Sequence, residues 1–134
     1  MTTDRAPATL GMPWERDYGY AQAVKVGDTV FLSGQVSHDD AGNVVAPGDM
    51  RAQMRQAYAN VAEVLARYGA TMADVVDEVV FVTDMDAAYA AACELRRTVY
   101  GGTPVTASTL VQIQRLASPE FMIEIKCVAR IPGR

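Results

Sequence analysis

Residues 104–129 read PVTASTLVQIQRLASPEFMIEIKCVA. Near the end of this stretch Ile123, Ile125, Cys127 and Ala129 alternate with Met122, Glu124, Lys126 and Val128. A period of two puts the two sets on opposite faces of a β-strand. The first set suits a helix-covered core. The second mixes charge with apolar surface, too apolar for open water and too charged for a sealed interior. A strand over 121–131 with such a face implies a sheet with one side buried in its own subunit and the other meeting a neighbour. Residues 106–113 form a second strand, joined to the first by the turn-forming run Leu116-Ala-Ser-Pro-Glu.

Working back from these strands, residues 20–26 and 29–32 are strand-like around the tight Gly27-Asp28 turn, a hairpin that ends in the small-residue break Ser33-Gly34-Gln35. Met54, Tyr58, Val61, Leu65 and Tyr68 recur at steps of four and three, one face of a helix entered through Asp49 and stopped by Gly69. Thr71 and Asp74 form a capping-box-like turn, and the β-branched run 75–83 is a strand. Asp86 is the expected cap of a second helix, running to about Tyr100 with Tyr89, Cys93, Arg96 and Tyr100 on adjacent turns. Residues 1–18, with Pro7 and Pro13, are expected to be an irregular arm, and 19–134 a single domain.

The order strand, strand, helix, strand, helix, strand, strand gives an α+β fold with two helices on one face of a mixed sheet. Two helices cover one side only, so the open side is expected to be buried in a closed homo-oligomer.

The 134 residues fit one core, and half of them are hydrophobic. A net charge of -4, with no basic stripe, argues against nucleic acid. No run approaches the length of a membrane span and the first residues lack the pattern of a leader, so a cytoplasmic location is expected, with no membrane partner. Cys93 and Cys127 stand 34 positions apart without a CxxC, and the lone histidine, His38, sits in a polar turn. Neither a metal site nor a Ser-His-Asp triad is written here, and His38 is expected to have no chemical role.

Tyr20, the Ser33-Gly34-Gln35 break, the helical stretch 53–60, Ala107-x-Thr109 before Val-Gln-Ile, Ile123-Glu124-Ile125 and Ala129 stand in the order seen in the Rid (YjgF, reactive intermediate deaminase) family, which the chain resembles from about 18 to 129. The resemblance implies a chorismate-mutase-like subunit, a homotrimer, and small-molecule sites in clefts between subunits. It implies a cofactor-independent hydrolase of imines and enamines such as 2-aminoacrylate. Glu124 matches the family carboxylate that positions or activates water, its alternative being a surface pairing with Lys126 or Arg130. Tyr20 would wall the site or simply pack at the strand start. Ser33 and the Gly34 backbone would donate hydrogen bonds, and Ser108 and Thr109 would fix the substrate's polar end.

One position departs from the family. The substrate-binding arginine of its Pro-Ala-Arg-(Ser/Thr) motif is Ser108 here. Losing a guanidinium–carboxylate pair removes about 1.5 to 3 kcal/mol, so an anionic 2-imino acid such as that from 2-aminoacrylate is expected to bind poorly unless Arg96, Arg97 or Arg115 of a neighbouring subunit substitutes. A pocket asparagine of the family's second helix is matched, allowing a one-residue offset, by Cys93: either a core thiol or a nucleophile facing the cleft. Two functions follow: an imine or enamine hydrolase for a substrate lacking the α-carboxylate, or a non-catalytic trimer that binds a small molecule in the same clefts. Trp14 in the arm is a candidate lid.

Overall fold

The computed structural model describes residues 4–134. Seven strands form one sheet: β1 Arg5–Ala8, β2 Ala23–Val26, β3 Thr29–Leu32, β4 Gln35–Val36, β5 Val75–Val82, β6 Ala107–Gln112 and β7 Ile123–Arg130. Their order is β1-β2-β3-β7-β5-β6, with β4 also on β7. All pairs are antiparallel except β5 with β6. The helices are α1 Pro13–Tyr18, α2 Met50–Ala66 and α3 Met85–Tyr100, and a 3₁₀ turn at Met72–Asp74 leads into β5.

The alternation of β7 does what its period requires. Ile123, Ile125, Cys127 and Ala129 are fully buried under α2 and α3, together with Val30, Leu32, Val80 and Val82 from neighbouring strands. Glu124, Lys126, Val128 and Arg130 face the other way. On that open face Phe31 and Val111 remain 47% and 37% exposed.

Two buried polar side chains of α2 tie it to loops. Gln53 donates to the carbonyls of Glu120 (2.8 Å) and Ala46 (3.2 Å) and accepts from the Met122 N–H (2.8 Å). Asn60 donates to the carbonyls of Val36 (2.8 Å) and His38 (3.1 Å). Both side chains thereby take the place of secondary-structure partners for irregular backbone.

The structure corrects two readings at the termini of elements. The expected irregular arm is ordered over its described part: residues 5–8 add an edge strand to β2, and residues 13–18 form α1 with Pro13 in its first turn; residues 1–3 lie outside the described part. Proline, a warning against regular structure, is tolerated at a sheet edge and at a helix start. The cap of α3 is Asp84, not Asp86; its carboxylate accepts the Ala87 N–H at 3.2 Å while Asp86 lies inside the first turn. Replacing Asp84 by Ala should cost about 1 kcal/mol in urea unfolding, whereas Asp86→Ala should stay within about 0.5 kcal/mol.

Candidate functional site

A cavity of about 660 Å³ opens on the uncovered face of the sheet, at the break between β3 and β4. Three steps along β7, from Val128 to Ile125, are matched by four from Phe31 to Gln35, so the Ser33-Gly34 segment is a one-residue bulge. The bulge brings the Gly34 backbone under the side chain of Glu124. A methyl group on Gly34 would lie 2.5 Å from both Cδ and Oε2 of Glu124, so any larger residue here would push the carboxyl end of Glu124 aside. Glu124 is half-buried here, and loss of water raises its pKa above the ordinary glutamate value, with the Lys126 ammonium working weakly in the opposite direction. Lys126 itself donates to the Leu32 carbonyl at 2.9 Å.

Tyr20, Ser33, Gly34 and Glu124, four of the seven residues singled out in the sequence, line this cavity together. Tyr20 is held in its protonated form by burial and by the nearby carboxylates of Glu15 and Glu124, and its ring meets Tyr18 edge-on at 5.7 Å. The expectation that Ser33 donates is corrected: its N–H bonds the Gln22 carbonyl (2.8 Å) and its hydroxyl the Ala21 carbonyl (2.7 Å), so the Ser33 oxygen offers only lone pairs.

The walls also carry Trp14, the candidate lid, and two residues that the sequence did not mark as part of a site, His38 and Phe121. Trp14 from α1 packs against His38 edge-on at 5.1 Å, and both rings line the cavity with Phe121. His38, expected to have no chemical role, is buried on this wall with Nδ1 on the Asp39 carbonyl. Trp14 forms wall rather than a detached lid.

A relay of side chains connects the arm to this wall. Glu15 accepts hydrogen bonds from Thr9, the N–H groups of Leu10 and Met12, and Gln22 Nε2; burial alone would raise its pKa, and these donors lower it instead. Because a carboxylate only accepts, Gln22 must turn its amide nitrogen to Glu15 and its oxygen to Gln35, whose Nε2 donates at 2.7 Å. The polarity of both amides is therefore set by Glu15. Gln35 is left with Oε1 buried and without a partner among the described residues.

Ser108 and Cys93 stand elsewhere. They line a smaller cavity of about 270 Å³ between α2, α3 and the edge strand β6, with Met54, Tyr89, Arg96 and Leu110. Ser108 is paired across the sheet with Glu78, which in turn faces Cys127 of the core, so this cavity lies on the helix side, opposite to Glu124. The Ser108 hydroxyl donates to the Glu78 carboxylate at 2.5 Å. Thr109 points to the open face and lines neither cavity. Of the arginines considered as substitutes, Arg115 is engaged by the carbonyls of Leu116 and Ala117, while Arg96 belongs to the same subunit as Ser108 and reaches Glu78 with Nε at 2.8 Å.

Among the described residues there is no group of three or more His, Cys, Asp or Glu placed to hold a metal, and no helix long and apolar enough to cross a membrane.

A bulged cavity wall holding one desolvated carboxylate, on a mixed sheet backed by two helices, invites comparison with known proteins. A protein-family model described as Endoribonuclease L-PSP matches residues 15–131. The chain belongs to the Rid/YjgF family. The RutC family protein YjgH of Escherichia coli is 32% identical over 116 residues, 87% of this chain and 86% of that protein. The 2-iminobutanoate/2-iminopropanoate deaminase of Mus musculus is 30% identical over 129 residues, 96% and 88% of the two chains. The match to a RutC family protein of Sulfurisphaera tokodaii, 36% identical, spans 62% of that protein. Among solved structures, protein YJGH superposes with a TM-score of 0.85 at 28% identity, covering 98% of this chain and 100% of the other. Rv2704 of Mycobacterium tuberculosis, a member of the YjgF/YER057c/UK114 family, gives 0.81 at 27%, covering 95% and 99%. The Rid/YjgF fold expected from the sequence is thus the fold observed.

Two outcomes test the geometry of this Rid/YjgF protein. Gly34→Ala should leave the fold intact, because the flexible end of Glu124 can swing away, but return the Glu124 pKa toward its ordinary value in ¹³C-carboxyl NMR titration. Iodoacetamide should modify the exposed Cys93 in the native protein and spare Cys127, which is buried and whose pKa is pushed up to about 12 by burial and by the Glu78 carboxylate.

Proposed function

We propose that this protein hydrolyses an imine or enamine in the larger cavity, with Glu124 as the general base. The observation that carries the reading is the Glu124 carboxyl itself, half-desolvated over Gly34 in a cavity walled by Tyr20, Trp14 and Phe121. A carboxylate whose pKa is raised toward neutrality both accepts and returns a proton efficiently. In the hydrolysis, water adds to the C=N carbon while Glu124 takes its proton; the proton passes to nitrogen, and the carbinolamine collapses to a carbonyl compound and ammonia. Tyr20, kept protonated, is placed to donate to the substrate.

The names of several relatives, 2-iminobutanoate/2-iminopropanoate deaminase, favour the same chemistry. No arginine of the same chain lines this cavity, and Ser108 supplies no guanidinium, so 2-aminoacrylate is expected to be a poor substrate compared with a neutral imine unless Arg96, which lies beside Ser108, reaches it from a neighbouring subunit. A ribonuclease reading would need the cavity to grip phosphates, and its one Lys or Arg side chain, Lys126, is engaged by Leu32.

The reading includes a closed homotrimer. Phe31 and Val111 on the open face gain cover in it, and a neighbouring subunit is what would bring the separated groups, Glu124 of one chain and Thr109 or Ser108 of another, to one cleft. Sedimentation equilibrium should give three times the 14.4 kDa subunit mass.

Ammonia release from imines generated in situ from neutral amines should be lost in Glu124→Gln with the fold retained. The kcat/KM profile of the wild type should fall as pH drops through the Glu124 pKa, with its acid limb above the ordinary glutamate value. The stability sign is opposite: a carboxyl with a raised folded-state pKa favours folding when protonated, and that contribution is lost as pH rises through the folded pKa. Glu124→Gln should therefore be more thermostable than wild type at neutral pH. Absence of ammonia release from any imine by the wild type, alongside saturable binding, would leave a binding protein in place of the enzyme.

A further inference from the structure

Ser33, Gln35 and His38 follow one another along one short segment that lines the larger cavity, and each spends its hydrogens inside the protein. The Ser33 hydroxyl donates to the Ala21 carbonyl (2.7 Å). Gln35 Nε2 donates to Gln22 Oε1 (2.7 Å) and to the Ser33 carbonyl (3.1 Å). His38 Nδ1 stands 2.8 Å from the Asp39 carbonyl, and since a carbonyl only accepts, the neutral ring is the Nδ1–H tautomer with a lone pair on Nε2. What each side chain has left is an acceptor: a hydroxyl oxygen, an amide oxygen and an imidazole nitrogen.

Gln35 is 1% exposed, and its Oε1 has no partner among the described residues. It cannot exchange roles with Nε2, because Glu15 orders Gln22 and Gln22 orders Gln35. A buried acceptor left open is unfavourable until a donor reaches it. His38 is buried too, and its Nε2 has no hydrogen-bond partner among the described residues. It follows two positions after Val36, the cross-strand partner of Glu124, so its backbone is within about 7 Å of that pair. Glu124 adds a fourth acceptor with no donor aimed at it among the described residues. The charge and the rings favour a cation: Glu15 and Glu124 both act on Tyr20, and Trp14 and Phe121 offer aromatic surface. Lys126 opposes it, but its ammonium is drawn to the Leu32 carbonyl.

We propose that the larger cavity recognises a cationic, N–H-donating head group, an amidinium or a protonated amine, through the acceptors of Ser33, Gln35 and His38, with Trp14 and Phe121 against the apolar body that carries it. A head group that only accepts would set its lone pairs against theirs and leave Gln35 Oε1 as it is. The cavity, about 660 Å³, has room for such a body beyond the few atoms of a C=N bond. This is the cavity assigned above to imine hydrolysis, and calling the bearer of the head group a substrate rests on that reading. Together they describe an imine or enamine with a second, basic nitrogen in place of a carboxylate.

Calorimetric titration of the intact protein with benzamidinium, benzamide and benzoate tests the assignment, since these planar probes share a shape and differ in N–H donors and charge. Benzamidinium should bind saturably, benzamide at least threefold more weakly and benzoate at least tenfold. Phenyltrimethylammonium, a cation without N–H groups, should also bind at least tenfold more weakly than benzamidinium. Gln35→Met should weaken benzamidinium at least fivefold, and so should His38→Phe, which keeps a ring beside Trp14. Where a variant fails to fold, the order of the probes on the wild type decides. Benzoate or phenyltrimethylammonium matching benzamidinium, undiminished benzamidinium affinity in a folded Gln35→Met or His38→Phe, or no saturable benzamidinium binding up to about 10 mM, would overturn it. Binding is read without turnover: benzamidinium binding with no ammonia released from any imine removes the hydrolase reading alone, and ammonia release without benzamidinium binding removes the head-group assignment alone.

Discussion

Strand β7 hydrogen-bonds to β3 and β4 along one side and to β5 along the other, so neither of its edges is free and its register cannot slip without unseating three neighbours. Its odd-numbered residues fill the core beneath two helices, and that burial decides which face every even-numbered residue takes. Glu124 is on the open face because Ile123 and Ile125 are not. The same registration extends through β5 to β6, placing Glu78 and Ser108 with Cys127 on the covered face.

Two carboxylates thus reside on adjacent strands of one sheet and are treated in opposite ways. Glu78 is sealed off from solvent and given four donors, which suits a group that must stay put. Glu124 is only half-buried and is packed on a glycine with no donor aimed at it among the described residues, which raises its proton affinity. Saturation with donors fixes one side chain in place, and desolvation raises the proton affinity of the other.

How far this was legible in the sequence follows from how local each signal is. Period-two alternation in 123–130, the helical steps from Met54 to Leu65, and the Thr71/Asp74 turn are short-range, and the structure reproduces them. Tyr20, Ser33, Gly34 and Glu124 were gathered by their likeness to a family pattern, and they do share a cavity. Glu78 and Arg96 gave no such signal: they are 18 positions apart, on a strand and a helix, and only tertiary packing makes them a pair. His38 was missed for the same reason, since it reads as a turn residue, whereas Trp14 was marked as a candidate lid and stands in the cavity wall. Asp84 and Asp86 are both plausible caps by composition, and the choice between them depends on where β5 ends.

The Glu15–Gln22–Gln35 relay gives the beginning of the chain an influence out of proportion to its size. Residues 5–18 supply an edge strand, one aromatic wall of the larger cavity, and the carboxylate that decides which way two buried amides point. An affinity tag, a fusion junction or a proteolytic nick in this stretch would act on the lining of the cavity as surely as a point change beside Glu124. Recombinant forms that differ only in how they start are, in that respect, different proteins at the site.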